Sequence, residues 1–305
     1  MKNKLLVIVG PTASGKTNLS IKLAKKFSAL GGSALGWNGA EIVSADSRQV
    51  YKGMNIGTGK ITKKEMQSIP HHLLDIVSPK TRFDVTKYKK KALRIIKDIQ
   101  KRDKLPILIG GTGFYIQAIT DGIIFPQVKP DWKLRSSLEK KDIKDLFKEL
   151  KSLDPQRAKT IEKYNKRRLI RALEIIKKTN KPVPKIKNDP IDSDILILGI
   201  KKEEIKELIK IRLLKRLRQG MIAEVKRLKQ SGVSWKRLEE FGLEYRYIAL
   251  YLQKKITKEE MIEKLQKEIE HYAKRQMTWF KRDKRIHWIK NYEKAEKLSK
   301  CFINK

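Results

Sequence analysis

With 305 residues, 40% of them hydrophobic, the chain is long enough to bury one large core or two modest ones, which excludes a mini-protein held by disulfides or metal. Lys and Arg number 72 against 34 Asp and Glu, a net charge of +38 that favours polyanions such as nucleic acid or an anionic membrane surface. No stretch approaches the ~20 uncharged apolar residues of a membrane span, and a single Cys301 forms neither an intramolecular disulfide nor a zinc site, which fits a cytoplasmic protein. The charge is spread evenly: 22 Lys and Arg against 8 Asp and Glu up to residue 125, and 50 against 26 after it. Arginine is less even, with 14 of 18 after residue 125, and arginine is the side chain that makes bidentate and stacked contacts.

The first apolar run, Leu5–Val9, is too short for a signal peptide and leads straight into Gly10-Pro11, so it reads as a strand. A helical pattern follows over Lys16–Phe27, then a Gly-rich stretch, 28–40, that reads as a surface loop. Glu41–Ala45, Leu73–Val77 and Leu105–Ile109 read as further strands, with a helix over Asp84–Lys101 between the last two. Beyond Pro130 the pattern changes to Lys- and Glu-rich helices over 131–151, 154–179, 203–231, 235–254 and 257–281. Asp194–Ile200 is apolar and short enough to be a strand that rejoins the first sheet. The expected fold is therefore α/β, a parallel sheet flanked by helices. Its core spans 1–130 and 191–305 with a helical C-terminal region, and 131–190 is a helical insertion.

Gly10-Pro11-Thr12-Ala13-Ser14-Gly15-Lys16-Thr17 matches G-x-x-x-x-G-K-[ST] between a strand and a helix, the context a phosphate loop requires. Glycines let successive amides curl around phosphate oxygens, the helix N-terminus adds partial positive charge, Lys16 adds a cation, and Thr17 can hold Mg²⁺. Such a loop serves kinases, NTPases and other transferases alike. Leu105–Ile109 ends in Gly110-Gly111-Thr112-Gly113, where a hydrolase of this class would place an aspartate, and no N-K-x-D motif follows. The second strand ends in Asp46-Ser47-Arg48-Gln49. In an open α/β sheet the carboxyl edge carries the ligand site, so Asp46 is expected to face the phosphate loop. His71 and His72 lie side by side, yet no further His or Cys is near enough in sequence to complete a metal set.

The phosphate loop, SADSRQVY at 44–51, MNIGTGK at 54–60, PHHLLD at 70–75 and GGTGFY at 110–115 together resemble the tRNA dimethylallyltransferases, also called tRNA isopentenyltransferases. The likeness continues through KRRLIRALE at 166–174 and AKRQMTWF at 273–280, and without a C-terminal zinc finger it is to the bacterial type. The resemblance implies transfer of a dimethylallyl group from its diphosphate to N6 of adenosine 37 in a tRNA anticodon loop, by a monomeric, cytoplasmic enzyme. Lys16, the loop amides and a Thr17-bound Mg²⁺ would then stabilise a leaving diphosphate. Asp46 would accept the N6 proton and Thr112 would orient the reacting groups. It implies RNA contacts at Asp46, Ser47, Arg48, Gln49, Thr112, Arg135, Arg167, Arg168, Arg171, Tyr245, Arg246, Lys274, Arg275, Gln276 and Trp279. Read without the resemblance, Trp279 is a core residue and Arg168 and Arg171 pair with acids such as Glu174. Two other activities share the phosphate loop: an adenylate isopentenyltransferase acting on a free nucleotide, and a small-molecule kinase. The arginine-rich helix and the basic second half favour a bulky anionic acceptor.

Overall fold

The computed structural model of the chain describes residues 3–29 and 37–304. In chain order its elements are β1 (Lys4–Val9), α1 (Lys16–Ala29), β2 (Ala40–Ser44), α2 (Lys63–Met66), β3 (His71–His72), α3 (Val85–Lys101), β4 (Leu105–Gly110), α4 (Gly113–Thr120) and β5 (Ile123–Ile124). Then come α5 (Trp132–Lys140), α6 (Ile143–Leu153), α7 (Pro155–Thr160), α8 (Lys166–Thr179), β6 (Lys187–Asn188) and β7 (Asp194–Ile200). The chain closes with α9 (Ile205–Arg218), α10 (Met221–Gln230), α11 (Trp235–Phe241), α12 (Leu243–Leu252), α13 (Lys258–Phe280), β8 (Ile286–Ile289) and α14 (Tyr292–Asn304). Most of the 28–40 loop expected from the sequence, residues 30–36, lies outside the described residues.

Six strands pair in the order β3-β2-β4-β1-β7-β8, all parallel. Both faces are covered, which is why β1 reads as an unbroken apolar run. Leu6 and Ile8 pack with Leu19, Leu23 and Phe27 of α1, while Leu5, Val7 and Val9 join a second core with Tyr88, Ile96 and Ile99 of α3. A third core brings Val50, Tyr51 and Met54 together with α9 to α13, through Leu213, Met221, Phe241, Ile248 and Leu265. The compact units are Met1–Gly122 with Pro190–Lys305, and Ile123–Asp189. The second begins at Ile123 because Ile123–Ile124 pairs antiparallel with Lys187–Asn188; its helices close on Leu146, Leu150, Leu169 and Leu173. Within it Glu174 is fully buried and accepts from the Asp131 amide and from Arg135 Nε and Nη2, and also pairs with Arg171.

Several expected elements differ. The strand expected at Leu73–Val77 is absent: Leu73 and Asp75 take left-handed backbone (φ 64° and 53°), so pairing stops at β3 and resumes only as a bridge from Val77 to Tyr51. His71 and His72 are that strand rather than a lead into it. Four of the long helices expected from the sequence are each two helices. Asp142 and Asn165 act as N-caps that restart the chain after α5 and α7, and Gly220 and Gly242 stand between α9 and α10 and between α11 and α12. β8 and α14 follow the last expected helix; four residues with alternating burial carry too little periodicity to read as a strand. β8 pairs with β7.

Two buried charges sit near the amino ends of inner strands. Lys4, 1% exposed in β1, donates from Nζ to the Phe302 and Ile303 carbonyls (2.6 and 2.7 Å), capping the last turn of α14 with a cation where the helix dipole is negative. Glu41 in β2 is ringed by Arg102, Lys104 (2.9 Å) and His72 (2.7 Å). Arg102 foremost, then Lys104 and His72, hold its pKa down at about 2 against the cost of burial. Because the folded-state value lies below the unfolded one, this stabilisation is complete above about pH 4.5 and is lost as pH falls toward 2. Glu41→Gln should therefore cost about 2 kcal/mol at neutral pH and flatten the stability profile in that acid window, read by denaturant unfolding at stepped pH.

Candidate active site

Register decides what meets at the sheet's carboxyl edge. Val9 stands opposite Gly110 of β4 and Gly199 of β7, and Ser44 opposite Ile109, so the loops that begin at Gly10, Ala45 and Gly111 leave the sheet level with one another. At Gly110 the chains nearly touch: a Cβ there would lie 2.2 Å from the Ala45 carbonyl oxygen, so only glycine lets the two loops run side by side. Across that contact the Thr112 amide donates to the Ala45 carbonyl (3.4 Å), and the Ser47 amide donates to Thr112 Oγ1 (3.1 Å).

The phosphate loop is shaped by its own contacts. Ala13 is left-handed (φ 62°), a strain of about 1 kcal/mol that the surrounding contacts hold in place. Ser14 is buried and its Oγ has no partner, an orphaned hydroxyl that a phosphate oxygen would satisfy. Lys16 folds back onto the Pro11 carbonyl (2.5 Å). Burial, and next the positive charge of Arg212, lower its pKa to about 7, opposed by the negative charge of Asp46. Gln276 braces the loop: its Oε1 accepts from the Thr12 amide and its Nε2 donates to the Gly111 carbonyl, both at 2.8 Å. Thr17 is exposed in the first turn of α1.

Asp46 Oδ1 accepts from the amides of Arg48 (2.7 Å) and Gln49 (3.2 Å), so the aspartate forms the turn as well as carrying charge into the site. Arg48 is held by the Phe241 carbonyl (2.8 Å) and lies over the Phe241 ring. Gln49 reaches the Thr58 and Gly59 carbonyls. Three tyrosines surround the carboxylate. Tyr88 and Tyr115 stack at 3.9 Å, and for both, burial first and then nearby groups including Asp46 push the phenol up. Tyr272 is pushed up to about 12 by burial and then by Asp46, while its hydrogen bond with Thr112 acts the other way.

The remaining expected residues divide. Tyr245 is 1% exposed and donates to Glu224 (2.8 Å), and Gln276 is 6% exposed with both ends of its amide in use. In this structure both are internal braces. Arg135 and Arg171 are tied to Glu174, the pairing that the residues alone suggest for Arg171, and Arg168 pairs with Glu162 (3.0 Å). Arg167, Arg246, Lys274 and Arg275 are exposed. Trp279 is half-buried against Phe114. A cleft of about 420 Å³ runs beside it, lined by Gly113, Gln117, Asp121, Arg282 and Ile286 among others. His71 and His72 bond to the Ile69 carbonyl and to Glu41, and no cluster of three metal-ligating side chains occurs among the described residues.

Tyr272, Arg212 and Arg216 escape a reading of the sequence. The two arginines converge over Gly59, where a Cβ would lie 1.8 Å from Arg216 Nη2 and 3.1 Å from Arg212 Nη2. Burial, then Arg216, depress Arg212 to about 10. Their spacing of four residues marks one helix stripe, but nothing in the sequence ties that stripe to a loop more than 150 residues earlier.

A profile described as IPP transferase matches residues 49–283. The tRNA dimethylallyltransferase 1 of Syntrophus aciditrophicus is 42% identical, with 95% of this chain and 94% of the relative covered. The crystal structure of the tRNA isopentenylpyrophosphate transferase from Bacillus halodurans superposes with a TM-score of 0.70 at 34% identity, covering 99% of this chain and 96% of that one. A eukaryotic dimethylallyltransferase captured acting on tRNA gives a TM-score of 0.71 at 28% identity over 92% of this chain and 70% of its own.

The loop's electrostatics generate one prediction. With the Lys16 pKa lowered to about 7, an anion beside it favours the charged form, so inorganic diphosphate should bind with net proton uptake from pH 7 upward. Calorimetry in two buffers of different ionisation enthalpy reads that uptake, and Lys16→Met should lose the lysine's share of it. An unchanged uptake in the variant would assign the proton elsewhere.

Proposed function

Because the chain belongs to the IPP transferase family, we propose that it transfers a dimethylallyl group from dimethylallyl diphosphate to N6 of adenosine 37 in a tRNA anticodon loop, releasing diphosphate. The observation that carries the reading is the meeting of a phosphate loop and a carboxylate at one sheet edge, bridged by Thr112. The bond from the allylic carbon to the diphosphate oxygen breaks and its electron pair leaves with the diphosphate. Lys16, Arg212, the Ser14 hydroxyl and the loop amides would stabilise that charge. Adenine N6 supplies the pair for the new C–N bond, and its proton passes to Asp46.

Asp46 Oδ1 is committed to two backbone amides, so the turn holds the carboxylate still and leaves its second oxygen for the proton. Thr112, whose Oγ1 accepts from the Ser47 amide, stands beside that turn and would orient the reacting groups. The tyrosine-lined surroundings keep water from competing for the allylic carbon. Mg²⁺ fits the donor set: magnesium takes one or two protein oxygens beside substrate phosphates, and Thr17 in the first turn of α1 supplies one. When bound it would neutralise charge on the diphosphate.

Reaching N6 requires the base to leave the stacked loop. The exposed arginines and lysines, Arg167 and Arg168 in the insertion and Lys274 and Arg275 on α13, suit backbone phosphates. No described helix is long and apolar enough to cross a membrane.

Labelled dimethylallyl diphosphate offered with AMP or with an anticodon stem-loop carrying adenosines at 36, 37 and 38 should label the RNA; labelling of AMP alone would make the chain an adenylate isopentenyltransferase. Asp46→Asn keeps the turn's acceptor and removes the base, so turnover should fall by about 10²–10⁴ with RNA affinity within a few fold; unchanged turnover would remove Asp46 from that role. Arg168→Ala or Arg275→Ala should weaken RNA binding and flatten its salt dependence by roughly 0.7 log units per lost phosphate contact. A wild-type slope would make those arginines structural.

A further inference from the structure

Glu224, in the first turns of α10, is a buried acid that no step of the proposed reaction uses: it is 2% exposed and more than 160 residues from the loop it touches. Its Oε2 accepts from the amides of Asn55 (2.8 Å) and Ile56 (2.7 Å), and its Oε1 from the Gly57 amide (3.1 Å) and the Tyr245 hydroxyl (2.8 Å). Three successive amides converging on one carboxylate form an anion nest that a side chain fills.

The same loop is closed by its own backbone, with the Gly59 amide donating to the Ile56 carbonyl and the Lys60 amide to the Asn55 carbonyl, and its next three carbonyls meet side chains of the site. The Gly57 carbonyl accepts from Arg216 Nη1 (3.4 Å), and the Thr58 and Gly59 carbonyls accept from Gln49 Nε2 (3.4 Å each). Arg216 continues to Glu244 (3.3 Å), and Arg212 and Arg216 meet over Gly59, whose left-handed backbone (φ 57°) leaves the room. The loop therefore abuts the site on two sides: through Gln49, three residues from Asp46, and through Arg216 and its neighbour Arg212, whose charge reaches Lys16.

The geometry points to Glu224 as a positioning residue for diphosphate: by fixing the backbone of residues 55–59 it aims Arg212 and Arg216 at the anion held by the phosphate loop. This rests on the diphosphate reading of that loop. All four groups facing Glu224 are donors, so only a group that is acceptor on both arms satisfies them. A glutamine would present its own N–H groups to one pair of donors and unpair that side of the nest, whereas an aspartate keeps both acceptors at a shorter reach.

The test measures inorganic diphosphate affinity by calorimetry, and KM for dimethylallyl diphosphate against KM for the stem-loop RNA, in wild type, Glu224→Gln, Glu224→Asp, Tyr245→Phe, Arg216→Ala and the Glu224→Gln, Arg216→Ala double variant. Glu224→Gln should weaken diphosphate and raise the diphosphate-substrate KM by roughly tenfold while RNA KM stays within about twofold, with Glu224→Asp recovering part of the loss. In the double variant the diphosphate loss should exceed that of Arg216→Ala by no more than about twofold, since both act through one element. Wild-type diphosphate affinity in folded Glu224→Gln, equal losses toward both substrates, or additive losses in the double variant would each overturn the inference. Should Glu224→Gln not fold, Tyr245→Phe, which removes one donor of the four, must show the same bias at about two- to threefold; no bias there overturns the inference as well. Failure of the wild-type protein to bind diphosphate overturns both this inference and the reading beneath it, whereas wild-type binding with an indifferent Glu224 overturns the inference alone.

Discussion

Parallel register between β1 and its neighbours is the constraint on which the rest of the molecule depends. Val9 opposite Gly110 and Gly199 makes three strands end at one level, and the loops that leave there have nowhere to go except over one another. The close pass of Gly110 against Ala45 then brings a backbone hydrogen bond and the Thr112 hydroxyl to the turn that carries Asp46. A phosphate loop on its own binds an anion. Set level with an acid and a hydroxyl, it becomes a place where a leaving diphosphate and a departing proton can be handled on opposite sides of one carbon.

The site is held from behind by polar side chains on the C-terminal helices. Gln276 spans the phosphate loop and the Gly111 turn, Tyr272 meets Thr112, and Glu224 grips the 55–57 backbone. Each is buried or half-buried and spends its hydrogen-bonding capacity on main-chain groups or on Thr112, as a preorganised site requires. The same economy appears in the insertion, where one buried carboxylate, Glu174, gathers Arg135 and Arg171. Arg135 and Arg171 are thereby anchored within the insertion.

Charge in this chain works at two scales. The excess of lysine over its surface draws a polyanion in but selects nothing, and it falls with salt. Inside, single groups are tuned by neighbours: Lys16 is lowered by burial and Arg212, Tyr272 is raised by burial and Asp46, and Glu41 is lowered by Arg102.

Local pattern determined the strands β1, β2, β4 and β7, helix α3, the phosphate loop and the candidacy of Asp46 and Thr112, because a strand followed by glycines and a helix leaves its mark within a dozen residues. The motifs from Gly10 to Phe280 likewise sufficed to show the family. Tertiary structure alone decided where the long basic helices break, since Asp142, Gly220 and Gly242 interrupt patterns that remain periodic on both sides. It alone also decided which polar residues face inward. Tyr245 and Gln276 are braces, and Arg212, Arg216, Glu224 and Tyr272 join the site only because chain segments more than 150 residues from their partners fold over it. Hydrogen bonds between groups that far apart leave no periodicity, so they become legible only once the register of the sheet has fixed what each helix covers.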